Sequence, residues 1–484
     1  MIAQLASAFA QAWAGPRAER FQRALKDPHT AQIAVLRECL QGYAKTQYGH
    51  RVGLTPDMTY HRFVQAAPVL RYQDLQSECT AAEAGVPNQL WPGRPTFWEN
   101  TSGSAGVKKP IPISARLRNA FAEAVFIQVH DLLRTGTWRP RSGRIAMAIA
   151  PPLPGRALAQ DAAFLTGPIG TLARRFIIAP QGLVKATDPQ DFRAQLARAW
   201  QSAHDLELMT VWNPSYILAV MGTITNQSGT SPNWQEVWPN LQLISAWDGA
   251  MAAAPAARLR QAFPKTVLQG KGLLCTEGPV TIPLVGYAAP VPFIDGAFIE
   301  LMDAAGAIVP LWQAVETKTY RLILTWPGGF CRYDLGDEVR VQGMALATPC
   351  LAFVGRADAV CDLVGEKLAE AIAASGLAEV LDTRFGFLVP RQPEDAPAHY
   401  CLVAEAASTE DAIALDQQLQ AGVHYARARA LGQLGPIQPV AVDQLRLRYQ
   451  NACLAAGQSM EAIKDRAILL DISRADAVLH ALRQ

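Results

Sequence analysis

The apolar positions of the chain change rhythm several times, and each change marks an element. Met1 to Gly15 is Ala-rich and ends in Ala12-Trp13-Ala14, but it has no Lys/Arg n-region, and Gln4 and Gln11 interrupt the apolar run. It reads as an amphipathic first helix rather than a signal peptide. Residues 17–48 are charged, with Phe21, Leu25, Ile33, Leu36, Leu40 and Tyr43 recurring at three- and four-residue steps, which predicts helix. From about 86 to 116 the texture turns to Pro, Gly, Ser and Thr. Arg118 to Leu133 returns to a helical pattern, and Ile145 to Ile149 reads as a short buried strand. Gln190 to His204 and Ala254 to Phe263 read as helices, with a strand at Leu241 to Ser245 between them.

Thr266 to Val341 is strand-rich: Ile282–Val285, Ala297–Leu301, Tyr320–Thr325 and Val339–Val341 are separated by Gly, Pro and Asp. Helices alternating with strands, followed by a β-rich block, predict α/β layers joined to a barrel-like unit. Beyond about Gly355, short strands and helices resume, as in Lys367–Ala374 and Asp411–Arg429, and this tail is long enough to form its own domain. No internal repeat is present.

Composition narrows the class. A chain of 484 residues exceeds the size at which one core stops growing, so two or three structural units are expected. Only 18% of residues are charged, and 11 Trp and 16 Phe can fill several cores, which excludes intrinsic disorder. Lys and Arg total 44 against 42 Asp and Glu, a net charge of +2. That balance leaves no electrostatic footprint for nucleic acid. The eight cysteines form no C-x-x-C pair and read as scattered core thiols of a reduced compartment. With no apolar run of membrane-spanning length, no membrane partner is expected and the chain is assigned to the cytoplasm. Oligomeric state cannot be read from the sequence.

Three segments carry chemistry. Thr101 to Pro110 combines small residues, hydroxyls and Lys108-Lys109, the parts of a polyphosphate cradle, although a plain surface turn has the same composition. It fits neither G-x-x-x-x-G-K-[ST] nor G-x-S-x-G. Arg332-Tyr333-Asp334-Leu335-Gly336-Asp337 places Asp337 just past a Gly turn, where it would accept two ribose hydroxyls or merely cap the turn. Leu273 to Gly278 sets Glu277 beside Thr276 at a strand-to-loop junction, where the acid would hold Mg²⁺ or serve only structure.

The order and company of these segments resemble the plant auxin-responsive acyl-acid amido synthetases and their bacterial relatives. That family is a branch of the adenylate-forming superfamily. Thr101–Lys109 satisfies the superfamily phosphate loop [ST]SG[ST]-x-G-x-x-K, Gln269 to Gly278 looks like this branch in particular, and residues 332–337 stand for Y-R-x-G-D. Phe353 to Asp358 resembles the hinge, and Gly365-Glu366-Lys367 the G-E-K that follows it. Weaker matches are Ala67-Pro68-Val69, Asn240 to Gly249, and Gly457 to Arg466.

The resemblance implies an α/β fold. Its large N-terminal domain (1–355), with α/β layers and a β-barrel, would bind acid and ATP. A hinge at 356–361 would lead to a smaller mobile α+β domain (362–484). It further implies a two-step reaction. A carboxylic acid is adenylated by ATP with Mg²⁺, then an amine, usually an amino acid's, displaces AMP. Ser102, Gly103, Ser104 and Lys109 would hold the phosphates. Thr276 would contact the α-phosphate, Glu277 the metal, Asp337 and Arg356 the ribose, and Lys367 the nucleotide. Thr276, Glu277 and Lys464 form the expected catalytic set. At Lys464-Asp465-Arg466 the family's proline is absent, and an exposed lysine at a helix end is the ordinary alternative. Leu274 stands where the superfamily favours an adenine-stacking aromatic. Trp212–Tyr216 and the helix over Arg118–Leu133 would line the acid pocket. Two further functions remain open: transfer to a thiol of CoA or a carrier, and non-catalytic binding of a nucleotide or acid.

Overall fold

The computed structural model describes residues 2–100, 109–147, 176–178, 189–249, 252–357, 359–364, 366–393, 396–455, 463–470 and 475–483. They fall into two compact units, both mixed α/β. The first holds residues up to Arg141 together with Lys271–Val354. The second holds the described residues between Ser142 and Gly270 and those from Gly355 onward.

In the first unit the N-terminal helix runs Ile2–Ala24, continuing through Gly15 and Pro16 where the sequence rhythm suggested a break. Asp27 then caps the helix Pro28–Tyr43: its carboxylate accepts the Thr30 N–H at 3.1 Å, and Pro28 has no N–H to leave unmet. The rhythm of 118–133 belongs to a longer helix, Ala115–Thr135. Ser114 caps its start and Gly136, at φ 72°, ends it in the left-handed conformation. These helices share a core with a five-stranded antiparallel sheet, in which Phe21, Leu36 and Leu40 meet Phe293, Phe298, Leu322 and Trp326. The sheet order is Ile308–Pro310, Phe298–Met302, Thr319–Thr325, Tyr333–Ala345, Thr348–Arg356. The strand expected at 282–285 is shorter, Thr281–Ile282, because Pro283 has no N–H to extend the ladder.

The second unit contains a parallel sheet whose strands Arg144–Met147, Leu206–Thr210, Leu243–Ser245 and Val267–Gln269 lie in chain order. Helices Pro189–Gln201, Ser215–Ser228 and Ala253–Ala262 connect them, and Phe192, Trp200, Ile217, Val220, Trp238 and Phe263 fill the core. Beyond Gly355 a three-stranded sheet pairs His399–Ala404 antiparallel to Gly386–Arg391 and parallel to Gln438–Ala441. Leu377, Leu388, Leu402 and Leu415 pack it against helices Glu370–Leu381 and Thr409–Leu419. None of the eight cysteines is in a disulfide. Among the described residues no helix is long and apolar enough to cross a membrane.

Candidate active site

In the first unit, strands Leu274–Cys275 and Gly278–Pro279 pair antiparallel with Cys275 opposite Gly278. Thr276 and Glu277 are therefore the central residues of a two-residue hairpin turn, tighter than the strand-to-loop junction expected from the sequence. Trp326 clamps this hairpin. Its indole N–H donates to the Pro279 carbonyl at 3.0 Å, and a Cβ on Gly278 would come within 2.5 Å of the ring. Glu277 is buried, and its Oε1 accepts the Tyr333 hydroxyl at 3.3 Å.

The segment 332–337 divides its labour. Arg332, at φ 42°, is buried and grips Glu300 through Nε (2.8 Å) and Nη2 (3.0 Å), while its Nη1 donates to the Ala67 carbonyl at 2.6 Å. Asp334 is paired with Arg71 (3.0 Å) and Arg321 (2.9 Å). Leu70 pairs with the same stretch, its N–H donating to the Arg332 carbonyl and its carbonyl accepting the Asp334 N–H. Both charged groups are thus consumed by structure. Asp337 follows Gly336 inside the strand Tyr333–Ala345, at a bulge rather than between two strands. Arg321 pairs with Glu338 and Ile323 with Asp334, so Leu335, Gly336 and Asp337 together face the single residue Leu322. Gly336, at φ 77°, supplies the backbone turn this needs. Asp337 is 5% exposed. Burial pushes the Cys275 thiol well up, with the charges of Glu277 and Asp337 adding to the shift. The hairpin and the bulge therefore bring two buried carboxylates into one electrostatic neighbourhood.

Lys109 adjoins the strand pair Phe97–Asn100 and Pro110–Ile113, in which Asn100 faces Pro110. Its Nζ lies 5.8 Å from the centre of the Tyr72 ring, and Tyr72 donates its hydroxyl to the Pro110 carbonyl. Ser102, Gly103, Ser104 and Lys108 lie outside the described residues, as do Asp358, Gly365, Gly457 and Gln458.

Arg356, Lys367 and Lys464 belong to the second unit, as does Trp212–Tyr216, whereas the helix over Arg118–Leu133 belongs to the first. Arg356 ends the strand Thr348–Arg356. Lys367 is exposed at φ 47°. Its neighbour Glu366 is buried and accepts the N–H groups of Leu363 and Val364 at 2.8 Å each and the Tyr400 hydroxyl. Glu366 thus shapes the turn that presents Lys367. Lys464 is not at a helix end. It sits in a segment without regular secondary structure, against residues that follow the carboxyl ends of the parallel strands, the edge where open α/β sheets bind ligands. Its Nζ lies 5.5 Å over the Trp247 ring, which in turn packs on Trp212 at 5.6 Å. Gly270 closes this edge, since a Cβ there would fall 2.3 Å from Asp248 Oδ1. Burial raises the Asp248 pKa, against the pull of Arg260 at 3.0 Å.

Among the described residues no group of three or more His, Cys, Asp or Glu side chains gathers to hold a metal. Mg²⁺ does not need one: it keeps several waters and binds through one or two carboxylates plus substrate phosphates. Glu277, buried beside a second acid, has donor chemistry that fits it.

Residues 17–227 match the GH3 family N-terminal domain, and residues 292–356 match the GH3 family central domain. The chain belongs to the GH3 family. Asp337 and Arg356 fall within the central match and residues 101–109 within the N-terminal one. Thr276, Glu277, Lys367 and Lys464 fall outside both. A human GH3 domain-containing protein is 27% identical over 254 residues, covering 46% of this chain and 47% of the relative. The chain thus spans about half the length of that relative. The probable indole-3-acetic acid-amido synthetase GH3.1 of Arabidopsis thaliana is 24% identical over 78% of this chain and 77% of its own. The solved structure of AtGH3.15 acyl acid amido synthetase in complex with 2,4-DB superposes with a TM-score of 0.81 at 15% identity, covering 97% and 96% of the two chains. At that identity the likeness speaks for the fold, which is the mixed α/β fold of the GH3 adenylate-forming enzymes.

Reading the sequence alone missed several participants. Tyr333 was part of a motif but had no role until its hydroxyl was found on Glu277. The Trp212–Trp247 pair under Lys464 comes from two strand ends that no local spacing connects.

Proposed function

We propose that this GH3 protein is an ATP-dependent acyl-acid amido synthetase. The convergence of Glu277 and Asp337 through the hairpin and the bulge carries the reading, because two buried carboxylates suit a metal-bound phosphate and a ribose edge, and Asp334 is already paired elsewhere. In the first step an acid's carboxylate oxygen attacks the α-phosphorus of ATP, the bond to the β-phosphate oxygen breaks, and pyrophosphate leaves. In the second an amine nitrogen attacks the acyl carbon, AMP departs with the electrons of the carbon–oxygen bond, and the amine loses a proton.

The work asked of the protein is positioning and charge stabilisation. Lys109, with Ser102, Gly103 and Ser104, holds the phosphates, and Thr276 contacts the α-phosphate. Glu277 would hold Mg²⁺, which when bound would screen the triphosphate charge. Asp337 accepts the ribose hydroxyls, assisted by Arg356, Lys367 binds the nucleotide, and Lys464 neutralises charge during adenylation. The proposal includes barrel-like closure of the strand-rich block, a hinge at 356–361 and a mobile domain over 362–484. It also takes the protein to be cytoplasmic. The acyl acid amido synthetase in complex with 2,4-DB supports small organic acids as the first substrate, and the amido synthetases among the relatives support an amine as the second, which the proposal takes to be an amino acid's.

The test is ATP–pyrophosphate exchange against aryl, indole and fatty acids, with hydroxylamine trapping the acyl-adenylate in parallel. Acid-dependent exchange that falls at least ~100-fold in Asp337→Ala is expected. Exchange that survives this change unaltered would remove Asp337 from the site.

A further inference from the structure

Three consecutive residues around Lys464 are anchored separately within the second unit. The Ile463 carbonyl accepts from Asn213 Nδ2 at 3.2 Å, and the Lys464 carbonyl accepts the Tyr449 hydroxyl at 2.7 Å. Asp465 Oδ2 meets both Ser215 Oγ at 2.6 Å and Arg446 Nη1 at 2.8 Å. Arg446 Nη1 also donates to Ser215 Oγ at 2.7 Å, and its guanidinium stacks over the Phe385 ring at 4.2 Å. Ser215 opens the helix Ser215–Ser228, whose dipole favours a negative charge such as that of Asp465 at this end. Asn213 completes the set, its Oδ1 accepting the Ser215 N–H at 3.0 Å.

This network is buried yet incompletely satisfied. Asp465 Oδ1 and Arg446 Nε are both buried without a hydrogen-bond partner. A buried ion pair serving stability alone gains little over apolar packing, and one with unmet atoms gains less. What the arrangement does accomplish is to fix the backbone on either side of Lys464 and aim its side chain across Trp247.

We infer that Asp465, Arg446 and Ser215 are positioning residues that dock Lys464 for the adenylation step, an inference that rests on the adenylation reading above. Asp465 is the hinge of the device because it follows Lys464 directly. Ser215 is its socket, and Arg446 neutralises the charge that docking buries. The unmet atoms leave the docked arrangement easy to release.

The experiment compares wild type, Ser215→Ala and Ser215→Thr, with Lys464→Ala as background. Ser215→Ala is expected to lower kcat for ATP–pyrophosphate exchange roughly 10- to 100-fold with little change in KM for ATP, the cost of a small misplacement. Amide formation from a supplied acyl-adenylate should be retained, and Ser215→Thr should restore exchange. In the Lys464→Ala background, Ser215→Ala should add nothing. Tryptic cleavage after Lys464 should be faster in Ser215→Ala, reporting release of the segment without reference to activity. Equal loss of both half-reactions, additive loss with Lys464→Ala, or unchanged cleavage would overturn the inference. A wild type that exchanges with no acid would overturn the adenylation reading. Faster cleavage would then still support the docking, and unchanged cleavage would overturn that too.

Discussion

The carboxylates of the first unit and the lysine of the second are held in opposite ways. Glu277 and Asp337 stand on a clamped hairpin and a bulged strand, flanked by Arg332 paired with Glu300 and by Asp334 paired with Arg71 and Arg321. Lys464 is held by a segment whose supporting ion pair leaves two buried atoms unmet. The first arrangement is a template that exists before any ligand arrives. The second is conditional, stable enough to form and cheap enough to leave. The adenylation reading, with its two half-reactions, calls for both kinds of support.

The largest effect should come from breaking the template. Arg332→Ala strands the buried Glu300 carboxylate and is expected to destabilise the first unit by about 3–5 kcal/mol, read by denaturant unfolding. A loss below ~1 kcal/mol would mean that the pair is no foundation. Next comes Gly336→Ala. At φ 77° a side chain costs about 1–2 kcal/mol, and relief of that strain would draw Asp337 out of place. Nucleotide affinity by calorimetry should fall in this variant while Lys464 stays as protected from trypsin as in wild type. Accelerated cleavage would blur the distinction between the two regions.

The smallest effect sharpens the comparison from the second unit. Arg384 grips Asp411 at 2.8 Å on the surface, and this hydrogen bond holds the Asp411 carboxyl below the usual range. Arg384→Ala should cost under ~1 kcal/mol near neutrality. A depressed carboxyl contributes stability above its unfolded pKa and loses it as pH falls through its folded value. The gap between wild type and variant should therefore close in acid, and a gap that widened would contradict the assignment. Cleavage after Lys464 should not change.

Much of this was legible in the chain. The helical rhythm of 118–133 needed only Ser114 and Gly136 to complete it, and the family could be named from the order of the motifs that hold Thr276, Glu277 and Asp337. What could not be read was the division of labour within a motif. Asp334 and Asp337 are the same residue type three positions apart, and nothing in their spacing says that Asp334 is the one that pairs with Arg71 and Arg321. Glu366 reads as part of a nucleotide motif yet bonds to the backbone of Leu363 and Val364. Ser215, Arg446 and Asp465 could not be connected at all, since their contact spans 250 residues for the first and third. Local pattern reports elements and chemistry, whereas long-range pairing decides who is already spoken for.

That separation also sets a timetable for synthesis. Arg71 and Asp334 lie 263 residues apart, and the Leu70 backbone closes on the same stretch. At typical ribosomal rates of about 5–20 residues per second, the N-terminal helices wait on the order of 10–50 s before the strand that covers them emerges. During that interval Phe21, Leu36 and Leu40 have no sheet to pack against, because the earlier part of the second unit, up to Gly270, is translated in between. Chains arrested before about residue 334 should therefore be clients for chaperones, and the acid site should be among the last features of the newborn protein to appear.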